Sequence, residues 1–554
     1  MRKQLTAAAG TLAGSGEVPD DRRIAAGWPL RPMTVAVAAA VLGLALRLFW
    51  LSRPGHLSGF TQYDDGVYFG NALRLVHGGI AYRDFAMVQP PGSMLLMAPV
   101  ALAARVFGTA WGLAAARLLT MLADTASVVL IGLLVRYRGA LAVGLACGGY
   151  AVYPAALVAS RSVLLEPWLN LFCLLGAVLL FRSGQLAGPR WLAWGGACFG
   201  FATAVKIWAL VPALLVGLIV PAWRGRRWFA GGFAAGLALP CLPFLVLAPA
   251  GFGRTVFVSE LMQATHGRFG PGPRLAAITG LASLTRGSPG PGAILAFAAG
   301  IGLPIAVLWV LSWKVGRLDA LDWYVLSGLV AVTAMMFAPS EWYEHYAAFD
   351  GPFVVLAVAL PVARLAAAAW GRPAGLGPAP GAFTAVAAAV VIAVLALASV
   401  GASARQRPAR SYAAAGGIIP PGACVVTDTA SATITAGRFI AASPGCPQLV
   451  DSVGTLIATT GGGDMTASPA LLATDTSVWQ AAFRTARYVW LIGNRGNTGA
   501  RIAWTWELDR YFAGHFRLVA FGSRFPGRRE VPRGGLYARK LRRPGNRSRW
   551  RTAW

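Results

Sequence analysis

The sequence predicts a polytopic α-helical membrane protein with a small external α/β domain at its C-terminal end. Three observations carry this. Of the 554 residues, 56% are hydrophobic and 13% are charged, about half the charged share of an ordinary soluble protein. Apolar stretches recur between residues 31 and 402, close to the roughly 20 residues that cross a bilayer. Beyond residue 404 the chain turns polar. A soluble domain could not hide so much apolar surface, and a disordered chain would lack it. The net charge is +28, from 49 Lys and Arg against 21 Asp and Glu. No nucleic-acid-binding module accompanies that charge, and basic residues beside spans set topology. Membrane lipids, and no nucleic acid, are the expected partners.

Residues 1–28 form a basic N-terminus without the apolar core or cleavage site of a signal peptide. Eleven spans then follow, at 31–52, 112–135, 139–160, 164–182, 190–205, 207–223, 228–250, 290–313, 322–339, 350–369 and 381–402. Together they make a membrane domain over 29–403. The stretch 92–108 is short and rich in Pro and Met, and reads as an interfacial element. Arg2, Lys3, Arg22, Arg23 and Arg31 precede the first span. Arg136 with Arg138, Arg182 with Arg190, Arg224 with Arg226 and Arg227, Lys314 with Arg317, and Arg364 with Arg372 follow later ones. All fall on one side if the N-terminus is cytoplasmic. An odd number of spans then puts the C-terminus outside, together with loops 53–111, 251–289 and 341–350.

The external domain is expected over 404–537, with a basic tail at 538–554. It opens on the turn Ile419-Pro420-Pro421-Gly422, with strand patterns at 423–427 and 488–492 and a helical one at 506–516. Cys424 and Cys446 can pair where that part faces an oxidising compartment. Cys147, Cys173, Cys198 and Cys241 lie in apolar spans and read as small core residues.

Chemistry-bearing residues gather in the external segments. The first loop carries Tyr63-Asp64-Asp65-Gly66, then Tyr82-Arg83-Asp84-Phe85, then Gln89-Pro90-Pro91-Gly92. The acid pair reads either as a helix cap or as a general base or metal ligand. The turn after the third span holds Arg161 and Glu166, which either pair with each other or face a substrate. Lys206 either snorkels or holds a phosphate as a point charge. His266, Arg268, His345 and Tyr346 complete the set. HExxH, P-loop and GxSxG patterns are absent from the sequence, so metalloprotease, nucleotide-hydrolase and α/β-hydrolase readings lack support.

In order and in side, these motifs resemble the GT-C glycosyltransferases of the protein-mannosyltransferase and aminoarabinose-transferase type. Asp64-Asp65 after Tyr63 is similar to the acid pair opening that family's first external loop. Gln89-Pro90-Pro91 resembles its (Lys/His/Gln)-Pro-Pro motif, and Arg117 an Arg at the following span. Arg161 to Pro167, Val205-Lys206, His266-Gly267-Arg268, and His345-Tyr346 with Pro352 resemble its later motifs. The resemblance spans residues 31 to about 370. Gln89 departs from it, because a phosphate-contacting Lys or His commonly precedes Pro-Pro. Residues 404–554 match nothing in it.

The resemblance implies a GT-C fold and an inverting transfer from a polyprenyl-phosphate-linked sugar. The acceptor would be a hydroxyl on a protein, glycolipid or polysaccharide at the extracytoplasmic face of the cell membrane. Mannose and arabinose are the first sugars to test. Asp64 would be the general base, with Asp65 and Glu166 orienting acceptor or cation. Tyr63, Arg83, Gln89, Arg117, Arg161, Lys206, His266, Arg268, His345 and Tyr346 would bind substrate. The family has members with and without a required metal, so a divalent cation on Asp64, Asp65 and Glu166 stays open. A transporter or flippase of envelope glycolipids and a non-catalytic assembly protein are the rival readings.

Overall fold

A computed structural model describes residues 31–258, 270–284, 289–339, 341–370, 380–460, 468–493, 502, 504–521 and 535–540. A helix stands at each of the eleven expected spans. They are α1 (Pro32–Leu51), α4 (Thr109–Val135), α5 with α6 (Ala140–Ala151, Pro154–Ala159), α7 (Glu166–Leu180), α8 (Pro189–Val205), α9 (Leu210–Ile219), α10 (Trp223–Leu247), α11 (Pro291–Val315), α12 (Ala320–Met335), α13 (Gly351–Trp370) and α14 (Pro380–Ala404). Among the described residues, six helical stretches are long and apolar enough to cross a bilayer; several of the others are apolar but shorter. α10, α11 and α14 turn most of their surface outward, exposing Leu239, Leu303, Val386 and Leu397. In water such faces would drive aggregation; in lipid they are at home.

The stretch read as an external loop is itself helical, with α2 (Asp64–Val76) followed by α3 (Gly92–Phe107). α3 buries Met94 and Met97 and exposes Val106 and Phe107, as suits a helix lying in the interface. α8 and α10 pack backbone to backbone. A Cβ on Gly200 would stand 2.1 Å from the Phe233 carbonyl oxygen, and one on Gly232 would stand 1.9 Å from that of Ala193. Small residues spaced by four permit such close crossings between membrane helices.

The bundle also hides charge. Arg47 Nε on α1 donates to Asp124 Oδ2 on α4 at 3.0 Å and to Ser160 Oγ at 2.9 Å. Tyr150 Oη donates to Asp124 Oδ1 at 2.7 Å. Asn170 Nδ2 donates to Tyr150 Oη at 3.0 Å and to the Ala348 carbonyl at 2.8 Å. Near the far end of α4, Arg138 and Arg364 converge on Asp319 and Asp322. Two of the expected orientation markers thus meet at one end of the bundle. α4 has 27 residues, about 40 Å of helix, and Arg117 near its other end meets the first loop.

After Ala404 the chain forms a four-stranded sheet in the order β1-β2-β4-β3, from β1 (Val425–Thr427), β2 (Tyr488–Leu491), β3 (Phe516–Phe521) and β4 (Gly535–Arg539). β1 and β2 run parallel and the other pairs antiparallel. Helices α15 (Ala430–Thr435), α16 (Ser452–Thr460), α17 (Pro469–Thr485) and α18 (Trp506–His515) flank it. Trp479, Phe483, Val489, Trp504 and Phe512 fill its own core. Cys424 and Cys446 form a disulfide. A second core is shared between the two parts of the chain, since Phe69, Leu73 and Met94 cluster with Ala430, Ile434, Phe439 and Val450.

Candidate active site

Asp64 is the first residue of α2, so the two acids leave its first turn about 100° apart and have different surroundings. Asp65 is fully buried. Its Oδ2 accepts from Arg117 Nη2 at 2.5 Å, Arg117 Nε at 3.2 Å and Thr61 Oγ1 at 2.8 Å. Its Oδ1 accepts from the Val163 amide at 2.7 Å. Arg117 also donates to the carbonyls of His56, Leu57 and Gly59. Asp65 therefore ties the first loop to α4 and to the turn before α7. Asp64 is only half-buried, with the Gln62 side-chain amide 3.4 Å away.

A second group stands at the start of α7. Glu166 Oε1 accepts from Lys206 Nζ at 2.9 Å, and Glu166 Oε2 lies 4.0 Å from His345 Nε2. Lys206 sits 3.4 Å from the ring centre of Trp208 and 3.9 Å from that of Tyr346. All three ionisable residues are buried. An ammonium so far from water is stable only with a carboxylate and aromatic faces around it. Glu166 thus pairs with Lys206, and not with Arg161 as the sequence had offered. Arg161 lies 5.3 Å from the Trp50 ring centre, and no carboxylate or carbonyl accepts from it among the described residues. Burial, then the charge of Arg47, outweighs the opposing charge of Glu344 and brings its pKa down to about 10, which leaves it cationic at neutral pH.

Tyr68, one turn after Asp64, joins the two groups. Burial first, and then the neighbouring acidic groups Asp64, Tyr346, Glu166 and Asp451, push its hydroxyl well above the usual tyrosine range. It stays a protonated hydrogen-bond donor. Sequence reasoning missed Tyr68 because it took this stretch as loop; helical spacing from Asp64 was the available signal. It missed Trp208, Ser431, Asp451 and Ser452 as well, and for the last three no local signal existed.

The remaining sequence-derived residues divide. Tyr63 Oη donates to Asp451 Oδ1 at 2.7 Å. Gln89 is buried just before α3, and Tyr82 Oη donates to its carbonyl at 2.6 Å. Gln89 Oε1 and Ser93 Oγ have no hydrogen-bond partner among the described residues. Arg83 is exposed and engaged by Asp84, which holds that carboxyl below its ordinary range. His266 and Arg268 lie outside the described residues. Among those described, no three His, Cys, Asp or Glu side chains form a group able to hold a metal ion. With Asp65 on Arg117 and Glu166 on Lys206, Asp64, Asp65 and Glu166 do not fit one.

No family profile and no curated protein matches the chain by sequence. Solved structures do match its shape. Crystal structures of ArnT from Cupriavidus metallidurans, in the apo state and bound to undecaprenyl phosphate, are each 14% identical with a TM-score of 0.54, covering 91% of this chain and 97% of theirs. The arabinofuranosyltransferase AftD from Mycobacteria is 15% identical with a TM-score of 0.48, covering 92% of this chain and 40% of its own. An alignment that covers 97% of ArnT shows that this chain shares its fold.

Proposed function

We propose that this protein is a membrane glycosyltransferase that moves a sugar from a polyprenyl-phosphate donor to a hydroxyl acceptor on the extracytoplasmic face. The observation that carries the reading is the contrast within the acid pair: Asp65 is fully buried on Arg117 and Asp64 is half-buried, in a fold shared with a protein that binds undecaprenyl phosphate. Asp64 takes the proton as the acceptor oxygen attacks the anomeric carbon from the face opposite the phosphate. The carbon–phosphate-oxygen bond breaks, the anomeric configuration inverts, and polyprenyl phosphate leaves. Phosphate is a stable leaving group and needs charge stabilisation more than a proton. Arg161, cationic at neutral pH, supplies that charge, with Tyr68 as a neutral donor beside Asp64. Lys206 is matched by Glu166, so this pair shapes the pocket together with His345 and Tyr346. The grooves between spans would hold the prenyl tail. The acceptor, whether protein, glycolipid or polysaccharide, and the sugar, mannose or arabinose first, are for the assay to name.

The test is transfer from a panel of polyprenyl-phosphate monosaccharides by the purified full chain with envelope extract. Asp64→Asn should lower transfer by roughly 10²–10⁴-fold, the usual worth of a positioned base, with an unchanged melting temperature. Transfer undiminished in Asp64→Asn would remove Asp64 from the mechanism. A wild type that neither binds nor uses any donor would return the transporter reading.

A further inference from the structure

α2 starts without a cap of its own, because its N-cap residue Tyr63 makes no side-chain hydrogen bond to the helix. The Gly66 amide donates to the Tyr63 carbonyl at 3.0 Å, and a second, side-chain acceptor comes from the far end of the chain. Ser431 Oγ, on α15, accepts from the Gly66 amide at 2.8 Å and can donate to the Gln62 carbonyl at 2.8 Å or that of Tyr63 at 3.0 Å. The seat is tight. A Cβ on Gly66 would stand 2.1 Å from the Ser431 backbone nitrogen. Beside it, Tyr63 Oη donates to Asp451 and accepts from the Ser452 amide at 3.0 Å. Ser431, Asp451 and Ser452 are all buried. The two points of attachment bracket Asp64 along the chain, at Tyr63 and at Gly66.

We infer that Ser431 and Asp451 are positioning residues for Asp64, so that the C-terminal part of the chain completes the active site. This rests on the general-base role of Asp64 proposed above. Ser431 gives the first turn of α2 a side-chain capping acceptor across 365 residues of sequence, and capping fixes where a helix begins. Asp451 holds the side chain just before that point. Loss of either lets the first turn of α2 fray, and Asp64 then samples positions from which it cannot reach the acceptor proton. Small displacements of a reacting group cost on the order of a hundredfold in rate, while donor binding, which does not use this turn, persists.

The experiment compares Ser431→Ala, Asp451→Ala and Tyr63→Phe with wild type in the full chain. It reads three quantities: transfer kinetics, undecaprenyl phosphate binding, and amide exchange of the peptide around residues 62–70. Expected are a kcat about tenfold to a hundredfold lower, donor KM and lipid affinity changed less than about twofold, and exchange at Gly66 in Ser431→Ala roughly fivefold faster, as one lost hydrogen bond gives. Unchanged kcat in all three variants, or unchanged exchange at Gly66, overturns the inference. If the wild type transfers no sugar, the functional reading fails by itself, and the exchange measurement still decides whether Ser431 holds the turn.

Discussion

Two neighbouring acids show how much of a residue's role lies outside its own sequence window. Asp64 and Asp65 are chemically identical and adjacent, and the sequence singles them out only as a pair. What separates them is Arg117, which is 52 residues away and visible only once the chain has folded. The two should respond differently to substitution. Arg117→Ala leaves a buried carboxylate unpaired and should destabilise the protein by about 3–5 kcal/mol, read as a lower melting temperature or loss of the folded species. Asp64→Asn should leave melting unchanged. The same logic applies to Lys206→Met, which strands Glu166. The double change Lys206→Met with Glu166→Gln should recover most of the stability, a coupling that a double-mutant cycle measures. Arg161 is different again, since no carboxylate among the described residues accepts a hydrogen bond from it. Arg161→Ala should weaken undecaprenyl phosphate binding by about tenfold to a hundredfold, the worth of a charge-assisted contact, with little change in melting.

At the scale of elements, hydrophobicity located the apolar helices and could not locate α2, which carries the acid pair. Span positions follow from composition alone, and a helix stands at each. α2 has mixed polarity, because one side faces the bundle and another faces Ser431, Phe439 and Val450 of the C-terminal part. No single apolar stripe marks it, and the sequence reads as a loop. In the C-terminal part, strand patterns at 423–427 and 488–492 correspond to β1 and β2, while the pairing of β3 with β4 lacked a short-range signal. The α8–α10 crossing makes its own prediction. Gly232→Val has no room for its side chain beside Ala193, so the helices must part. Overpacking of this kind costs about 1–3 kcal/mol or more. A lower melting temperature in detergent would show it, whereas the same change at Gly231, where nothing lies within 4 Å, should be nearly silent.

Over the whole molecule, the proposed orientation and the C-terminal fold can be checked together. The Cys424–Cys446 disulfide forms in cells only if that part has crossed to an oxidising compartment. In membranes prepared with thiols blocked at once, both cysteines should resist alkylation until reduced. Ready labelling of both in untreated membranes would place this part in the cytoplasm and reverse the topology.

The buried bond between Arg47 and Asp124 carries a consequence for how the chain is made. Each residue lies within a stretch long and apolar enough to span the bilayer. Alone in lipid, either charge disfavours insertion by about 2.5–3.5 kcal/mol at a helix centre. Together they form a neutral pair with their hydrogen bonds satisfied. α1 leaves the ribosome before α4, so its guanidinium lacks the Asp124 carboxylate until α4 arrives. Biogenesis of this protein is therefore expected to retain its first segment at the insertion site. Asp124→Ala should prolong that retention and direct the nascent chain to degradation.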